Sequence, residues 1–316
     1  MPVIIVGMHR SGTSLLAGLL KIAGCAFGPE SSLMPALEQN PKGFFENLHF
    51  LEFNDLILEH FGGTWYDPPT LPPGWLDKDP APMWIESARR VVDEQFGVDG
   101  QWAWKEPRTS LLLPFWRSIV PGAKVVLCVR NPLDVAGSLG KRNGFVLEHS
   151  VALWHLYTLQ ALVDTEPADL EVVFYDDLLQ DHRSTLKRVF EFVGLNPADA
   201  SWTEIDEFIS KDLRHHEHSG DDLNRSPRVM CSVKDLYRSL RARDTAAALQ
   251  HIRETPEVMP ACREVTHDLR PYYEAWFKYD VMEKTLDTRP HRLATQFSRL
   301  ANRTPAVAEL LRKIWR

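Results

Sequence analysis

Gly7-Met8-His9-Arg10-Ser11-Gly12-Thr13-Ser14 follows the short β-branched run Val3–Val6 and holds two glycines and three hydroxyls. Glycines let such a turn close with its backbone N–H groups facing inward, and a helix N-terminus adds positive potential at the same point. The segment is built to hold an anion, with His9, Arg10, Ser11, Gly12, Thr13 and Ser14 as its binding candidates. Its spacing is that of a Walker A loop, G-x-x-x-x-G-K-[ST], except that Thr13 stands at the lysine position and the cation, Arg10, comes earlier. A nucleotidase places that lysine on the β- and γ-phosphates. Its loss argues against ordinary nucleoside-triphosphate chemistry and leaves Arg10 to neutralise an oxyanion.

Three further groups carry chemistry. Arg130 follows an apolar run, where a P-loop nucleotidase commonly has a metal-holding aspartate. A guanidinium there repels a metal and binds a second phosphate in fork geometry, with Ser138 about one turn into the helix that starts near Asp134. Lys105 ends the alternating stretch Gln101-Trp102-Ala103-Trp104 and precedes Glu106-Pro107-Arg108, so it lies near the carboxyl end of a strand, where open α/β sheets bind ligands. Glu46 follows Gly43-Phe44-Phe45. The two rings lower the dielectric around it, which suits a general base, while its position before an apolar helix also suits a cap. His49 and His60 are alternative bases, and Lys42 a neighbouring cation.

The elements that must position these groups are legible in the hydrophobic pattern. Val3–Val6, Lys124–Val129 and Leu170–Tyr175 read as buried parallel strands, with helices over about 13–23, 48–61, 83–96, 134–142, 149–164 and 184–192. Strands interleaved with helices imply a parallel sheet covered on both faces, an α/β fold. Residues 62–83, rich in proline, glycine and aromatics, read as an ordered lid.

The loop and the segment Arg130-Asn131-Pro132-Leu133-Asp134-Val135-Ala136-Gly137-Ser138 together resemble the sulfotransferases that use 3′-phosphoadenosine-5′-phosphosulfate (PAPS). The first resembles that family's 5′-phosphosulfate loop, P-[KR]-S-G-T-[TS], with His9 in place of the proline. The second resembles its 3′-phosphate motif, R-[DN]-P-x-D-x-x-x-S. Lys105-Glu106-Pro107-Arg108 is similar to a K-[DE]-P-[RF] segment of the bacterial and tyrosyl-protein branches. Gly43-Phe44-Phe45-Glu46 is similar to their G-[FYH]-[FW]-E, and Tyr175-Asp176-Asp177-Leu178 to the family's Y-E-D-L. The likeness spans residues 2–195. It implies a P-loop-like parallel sheet flanked by helices, and PAPS as co-substrate without a metal. It also implies the roles: Arg10 and Lys105 at the leaving 5′-phosphate, Glu46 as base, Arg130 and Ser138 at the 3′-phosphate, and the Tyr175 hydroxyl on the adenine. The acceptor it suggests is a hydroxyl of a carbohydrate or glycolipid. A P-loop kinase or nucleotidase, or a non-catalytic nucleotide-binding module on the same fold, are the competing readings.

Composition sets the outer bounds. The chain has 316 residues and a formal net charge of −7, which argues against general nucleic-acid binding. No apolar run approaches the roughly 18 residues of a membrane span, and the first strand begins at residue 2 or 3 without a leader, so a cytoplasmic, bacterial enzyme is expected. Cys25, Cys128, Cys231 and Cys262 lie far apart, which points to free thiols and no metal site. Residues 2–200 are expected to form the core, with a mainly helical 201–316 completing the same domain. Beyond the core, Arg214-His215-His216-Glu217-His218 is a candidate loop toward donor or acceptor. Residues 289–316, with seven Lys/Arg against Glu309 and an amphipathic 306–314, suggest a docked helix or contact with an anionic membrane surface.

Overall fold

Among the described residues, four short parallel strands form one sheet. The computed structural model describes residues 2–35, 43–97, 100–198, 200–209 and 218–286. The strands are β1 (Pro2–Val6), β2 (Trp102–Lys105), β3 (Lys124–Val129) and β4 (Leu170–Phe174), in the order β2-β1-β3-β4. Register places Ile4 between Trp104 and Val125, and Leu127 beside Val172. Parallel neighbours need long crossovers, and helices supply them. α1 (Thr13–Ile22), α2 (Leu48–His60) and α3 (Ala81–Phe96) separate β1 from β2, and α4 (Leu113–Ile119) separates β2 from β3. α5 (Pro132–Asn143) and α6 (Leu147–Val163) lead to β4. Then come α7 (Tyr175–Gln180), α8 (His182–Val193), α9 (Trp202–Phe208), α10 (Gly220–Arg225), α11 (Cys231–Arg241), α12 (Thr245–Glu254) and α13 (Val258–Leu286). The α/β class, the parallel sheet and the helical C-terminal region are those expected.

Boundaries moved where local chemistry outweighs periodicity. The helix expected from Asp134 begins at Pro132, because the Asn131 side chain caps it by accepting from Leu133 N and proline is pre-set for a first helical position. The helix expected from Ser184 begins at His182, since Asp181 accepts from Ser184 N. Tyr175 does not end a strand; it opens α7. Trp102, not Gln101, begins β2.

The alternation of β1 divides the core. Val3 and Ile5, with Val126 and Cys128, pack against Leu16, Leu19 and Leu20 of α1 and Leu186, Val189 and Phe190 of α8. Each such fully buried aliphatic side chain contributes about 1.5–3 kcal/mol. The other face is aromatic: Trp104 lies 5.1 Å from the Phe50 ring and 5.5 Å from Trp116. Inside this layer the fully buried Asn54 donates to Glu106 Oε2 (2.5 Å) and Thr109 Oγ1 (3.1 Å) and accepts from Trp116 Nε1 (2.8 Å). Asn54→Ala is therefore expected to cost about 3 kcal/mol, by stranding a buried indole N–H and a carboxylate. A denaturant titration giving less than about 1 kcal/mol would contradict this network.

Two compact units are distinguished, Met1–Asp268 and Leu269–Arg316. The described part of the second, to Leu286, is helical and carries an Arg270–Glu274 ion pair at 2.7 Å. Among the described residues, no helix is long and apolar enough to cross a membrane.

Candidate active site at the carboxyl edge of the sheet

The order β2-β1-β3-β4 sends the chain leaving β1 toward one side and the chain leaving β3 toward the other. A crevice opens between their carboxyl ends, the usual ligand position in such sheets. The glycine loop fills its β1 side. Gly7 N donates to Ser110 Oγ (3.0 Å), and a Cβ at Gly7 would meet the Cys128 carbonyl oxygen at 2.4 Å. Gly12 has φ +92°, and a Cβ there would lie 2.5 Å from the Tyr175 ring. The loop thus needs glycine at both positions. α1 starts without a side-chain cap and without an acid in its first turn, so its N–H groups face the loop uncompensated. Ser11 Oγ is buried with no hydrogen-bond partner among the described residues. Such a cradle is suited to an anionic group.

Two of the cations there, Arg10 and Arg130, lie close together. Arg10, at φ 71°, donates from Nε to Ser138 Oγ at 2.7 Å. The Arg130 guanidinium lies 4.4 Å from the centre of the Tyr175 ring and 3.7 Å from Asp134 Oδ2. Burial, then the nearby Arg130, lowers the pKa of Arg10. Arg10, Arg130, Ser138 and Tyr175 therefore share one site, with the Tyr175 ring backing both Gly12 and Arg130.

Lys105 and Glu46 meet as a buried pair, Nζ to Oε1 at 2.5 Å. Lys105 projects from the last residue of β2, and Glu46 from the residue before the cap of α2. That cap is Asn47, whose side chain accepts from His49 N. The capping reading of Glu46 is thereby corrected: the shorter Asn47 side chain already takes the helix N–H. His9 is buried, 4.6 Å from the Trp65 ring and 6.1 Å from Tyr157. Burial first, and then the charges of Arg142, Arg108, Lys105 and Arg10, hold its pKa well below the usual value, so its imidazole is neutral. His49 and His60 are both exposed. Lys42, Arg214, His215, His216 and the basic 289–316 lie outside the described residues.

Several neighbours escaped sequence reading. Arg108 bridges Glu106 (2.6 Å) and Asp55 (2.7 Å). Burial pushes Glu106 up to about 7 against the opposing pull of Arg108. Asp134 accepts from the His218 backbone N (3.0 Å) and lies 2.6 Å from its ring Nδ1, tying the first turn of α5 to the chain at 218. Trp65, from the aromatic-rich segment, covers His9 and lies under Arg142, 5.7 Å from its guanidinium. Burial and Arg10 push Arg142 down to about 10. The one visible signal was the run of aromatics and prolines after residue 62, which reads as ordered but does not reveal its partner.

Among solved structures, the chain resembles the sulfotransferase domain of the Synechococcus PCC 7002 olefin synthase, at 18% identity over 81% of this chain and 94% of that one, TM-score 0.41. It also resembles the sulfotransferase domain of the curacin biosynthetic pathway, at 16% identity over 79% and 97%, TM-score 0.42. For sulfotransferase STF9 from Mycobacterium avium the values are 17% identity, 69% of each chain and a TM-score of 0.38. No curated protein matches. Residues 2–199 match the sequence pattern of the Sulfotransferase family, a span that holds the glycine loop, Glu46, Lys105, Arg130, Ser138 and Tyr175. The anion cradle at the sheet edge and that match lead to one assignment: the chain belongs to the Sulfotransferase family, whose fold binds PAPS for sulfuryl transfer.

Proposed function

We propose that this protein moves a sulfuryl group from PAPS to a hydroxyl of a carbohydrate or glycolipid, in the manner of the bacterial and tyrosyl-protein branches of the family. One juxtaposition supports this above all. The Lys105–Glu46 pair adjoins a loop whose cation Arg10 meets Ser138, and the charges of Lys105 and Arg10 both act on His9 of that loop.

PAPS supplies an activated sulfuryl group on a 5′-phosphate leaving group. The amides of Ser11, Gly12, Thr13 and Ser14 and the Arg10 guanidinium hold that end by preorganised electrostatics. The hydroxyls of Ser11, Thr13 and Ser14 and the neutral His9 ring complete the cradle. Arg130 and Ser138 read the 3′-phosphate, and Tyr175 orients Arg130 and lies beside the adenine. Lys105 Nζ holds Glu46 through Oε1 and faces the charge that grows as the 5′-phosphate leaves. Glu46 takes the acceptor proton on its other oxygen, Oε2. The low exposure of both side chains strengthens these interactions relative to water.

The reading is tested on the cofactor product, 3′-phosphoadenosine-5′-phosphate (PAP). Calorimetry is expected to show PAP bound at least tenfold more tightly than adenosine monophosphate. Arg130→Ala should weaken PAP by about 10- to 100-fold, because a charge-assisted contact contributes roughly 1.5–3 kcal/mol. The same variant should barely change the monophosphate. Equal wild-type affinity for the two nucleotides would reject the assignment.

A further inference from the structure

The charges around the crevice can be matched one by one. Lys105 pairs with Glu46, Arg108 with Glu106 and Asp55, and Arg130 with Asp134. Two guanidiniums, Arg10 and Arg142, have no carboxylate at ion-pair distance among the described residues. Arg10 belongs to the glycine loop and the donor's 5′ end. Arg142 has no task in that scheme.

Its position suggests one. Arg142 follows Ser138 by one turn of α5, so both lie on the same helix face, with Arg142 about 6 Å further along the axis. Ser138 meets Arg10; Arg142 feels the charges of Arg10, Glu46 and Arg108. The Trp65 ring lies against both Arg142 and His9, so Arg142 stands beside the glycine loop, with the Glu46 charge acting on it. Arg142 is half-buried as a residue, and its guanidinium lies 5.7 Å from the centre of the Trp65 ring, which restricts its orientation. Its one hydrogen bond among the described residues runs from Nε to Asn143 Oδ1 at 2.6 Å. A guanidinium has five N–H donors in a fork suited to carboxylate or sulfate, so donors remain for a ligand. A desolvated cation without a counter-charge is costly to the protein alone. Burial and Arg10 lower the pKa of Arg142 to about 10, in line with that cost.

We propose that Arg142 recognises an anionic substituent on the acceptor, so that the carbohydrate sulfated here already carries a carboxylate or a sulfate. This deepens the sulfuryl-transfer reading and rests on it.

The test uses the full chain loaded with PAP and three probes of the same ring: glucose, glucuronate and glucose 6-sulfate. Binding is followed by ligand-observed NMR titration. Wild-type protein is expected to bind at least one anionic sugar tenfold or more tightly than glucose, and which one separates a carboxylate from a sulfate site. Arg142→Gln should erase that preference while keeping PAP affinity within threefold, which also shows the variant to be folded. Arg142→Lys should restore part of it. The proposal is overturned if neither anionic sugar binds, if all three bind alike, or if the preference survives in Arg142→Gln. It is also overturned if Arg142→Gln weakens PAP tenfold or more, for Arg142 would then read the donor. Failure of the wild type to bind PAP at all would instead overturn the sulfuryl-transfer reading, and this proposal with it.

Discussion

Glu46→Gln is expected to lower kcat by about 10²–10⁴, the usual worth of a positioned base, with PAP affinity changed less than threefold. The amide keeps the size of the carboxyl and one acceptor for the Lys105 ammonium, yet it cannot take the acceptor proton. The acidic limb of the kcat/KM profile, which reports protonation of the base, should flatten in the variant. A purely structural role predicts a different pattern. The helix cap is Asn47, so loss of capping is not at issue. What Glu46 contributes structurally is the counter-charge for a buried lysine. Were that its whole contribution, the variant would melt at a lower temperature while kcat per folded molecule stayed near normal. A pH–rate series and a melting curve on the same preparation separate the two. Near-normal kcat would remove Glu46 from the mechanism and direct attention to the His215-His216 segment.

Lys105→Met should show the largest effect on stability and a large effect on turnover as well. It leaves the Glu46 carboxylate buried without its cation, and breaking such a pair typically costs about 3–5 kcal/mol. The double variant Lys105→Met/Glu46→Gln removes both charges together and should recover most of that stability in a denaturant titration. Activity should not recover. Lys105 is proposed to meet charge that develops as the 5′-phosphate leaves, so its loss lowers kcat more than it raises the KM for PAPS. A double variant that regained both stability and turnover would show the pair to be structural. A single variant with unchanged kcat and raised KM would reduce Lys105 to a binding residue.

Much of the frame was legible without coordinates, because it is written in short-range chemistry. The apolar runs at 3–6 and 124–129 are strands buried almost throughout, as their lack of alternation implied, whereas 170–174 is an edge strand whose Glu171 and Val172 are only half-buried. The glycine loop turns directly into α1 at Thr13, and Cys128 lies in the core of β3. Where local reading slipped, as at Pro132 and His182, the capping side chain of the residue immediately before decided the boundary. Those are corrections of a turn or less.

The site is another matter. Sequence order named Arg10, Ser138, Lys105, Glu46, Arg130 and Tyr175 one at a time, each by its own neighbourhood. It had no means of showing that Arg10 would donate to a serine 128 positions away, or that Lys105 would pair with an acid 59 positions back. The bridge from Arg108 to Asp55 and the approach of Trp65 to His9 and Arg142 were equally invisible. Hydrophobic periodicity tells each strand that it must be buried, but not beside which strand. The order β2-β1-β3-β4 decides which carboxyl ends adjoin. That order is set by how all the helices cover both faces of one sheet at once. Burial then pairs most of the charges, Lys105 with Glu46, Arg108 with Glu106 and Asp55, Arg130 with Asp134, since a buried ion that loses its partner is costly, and among the described residues it leaves Arg10 and Arg142 without a carboxylate.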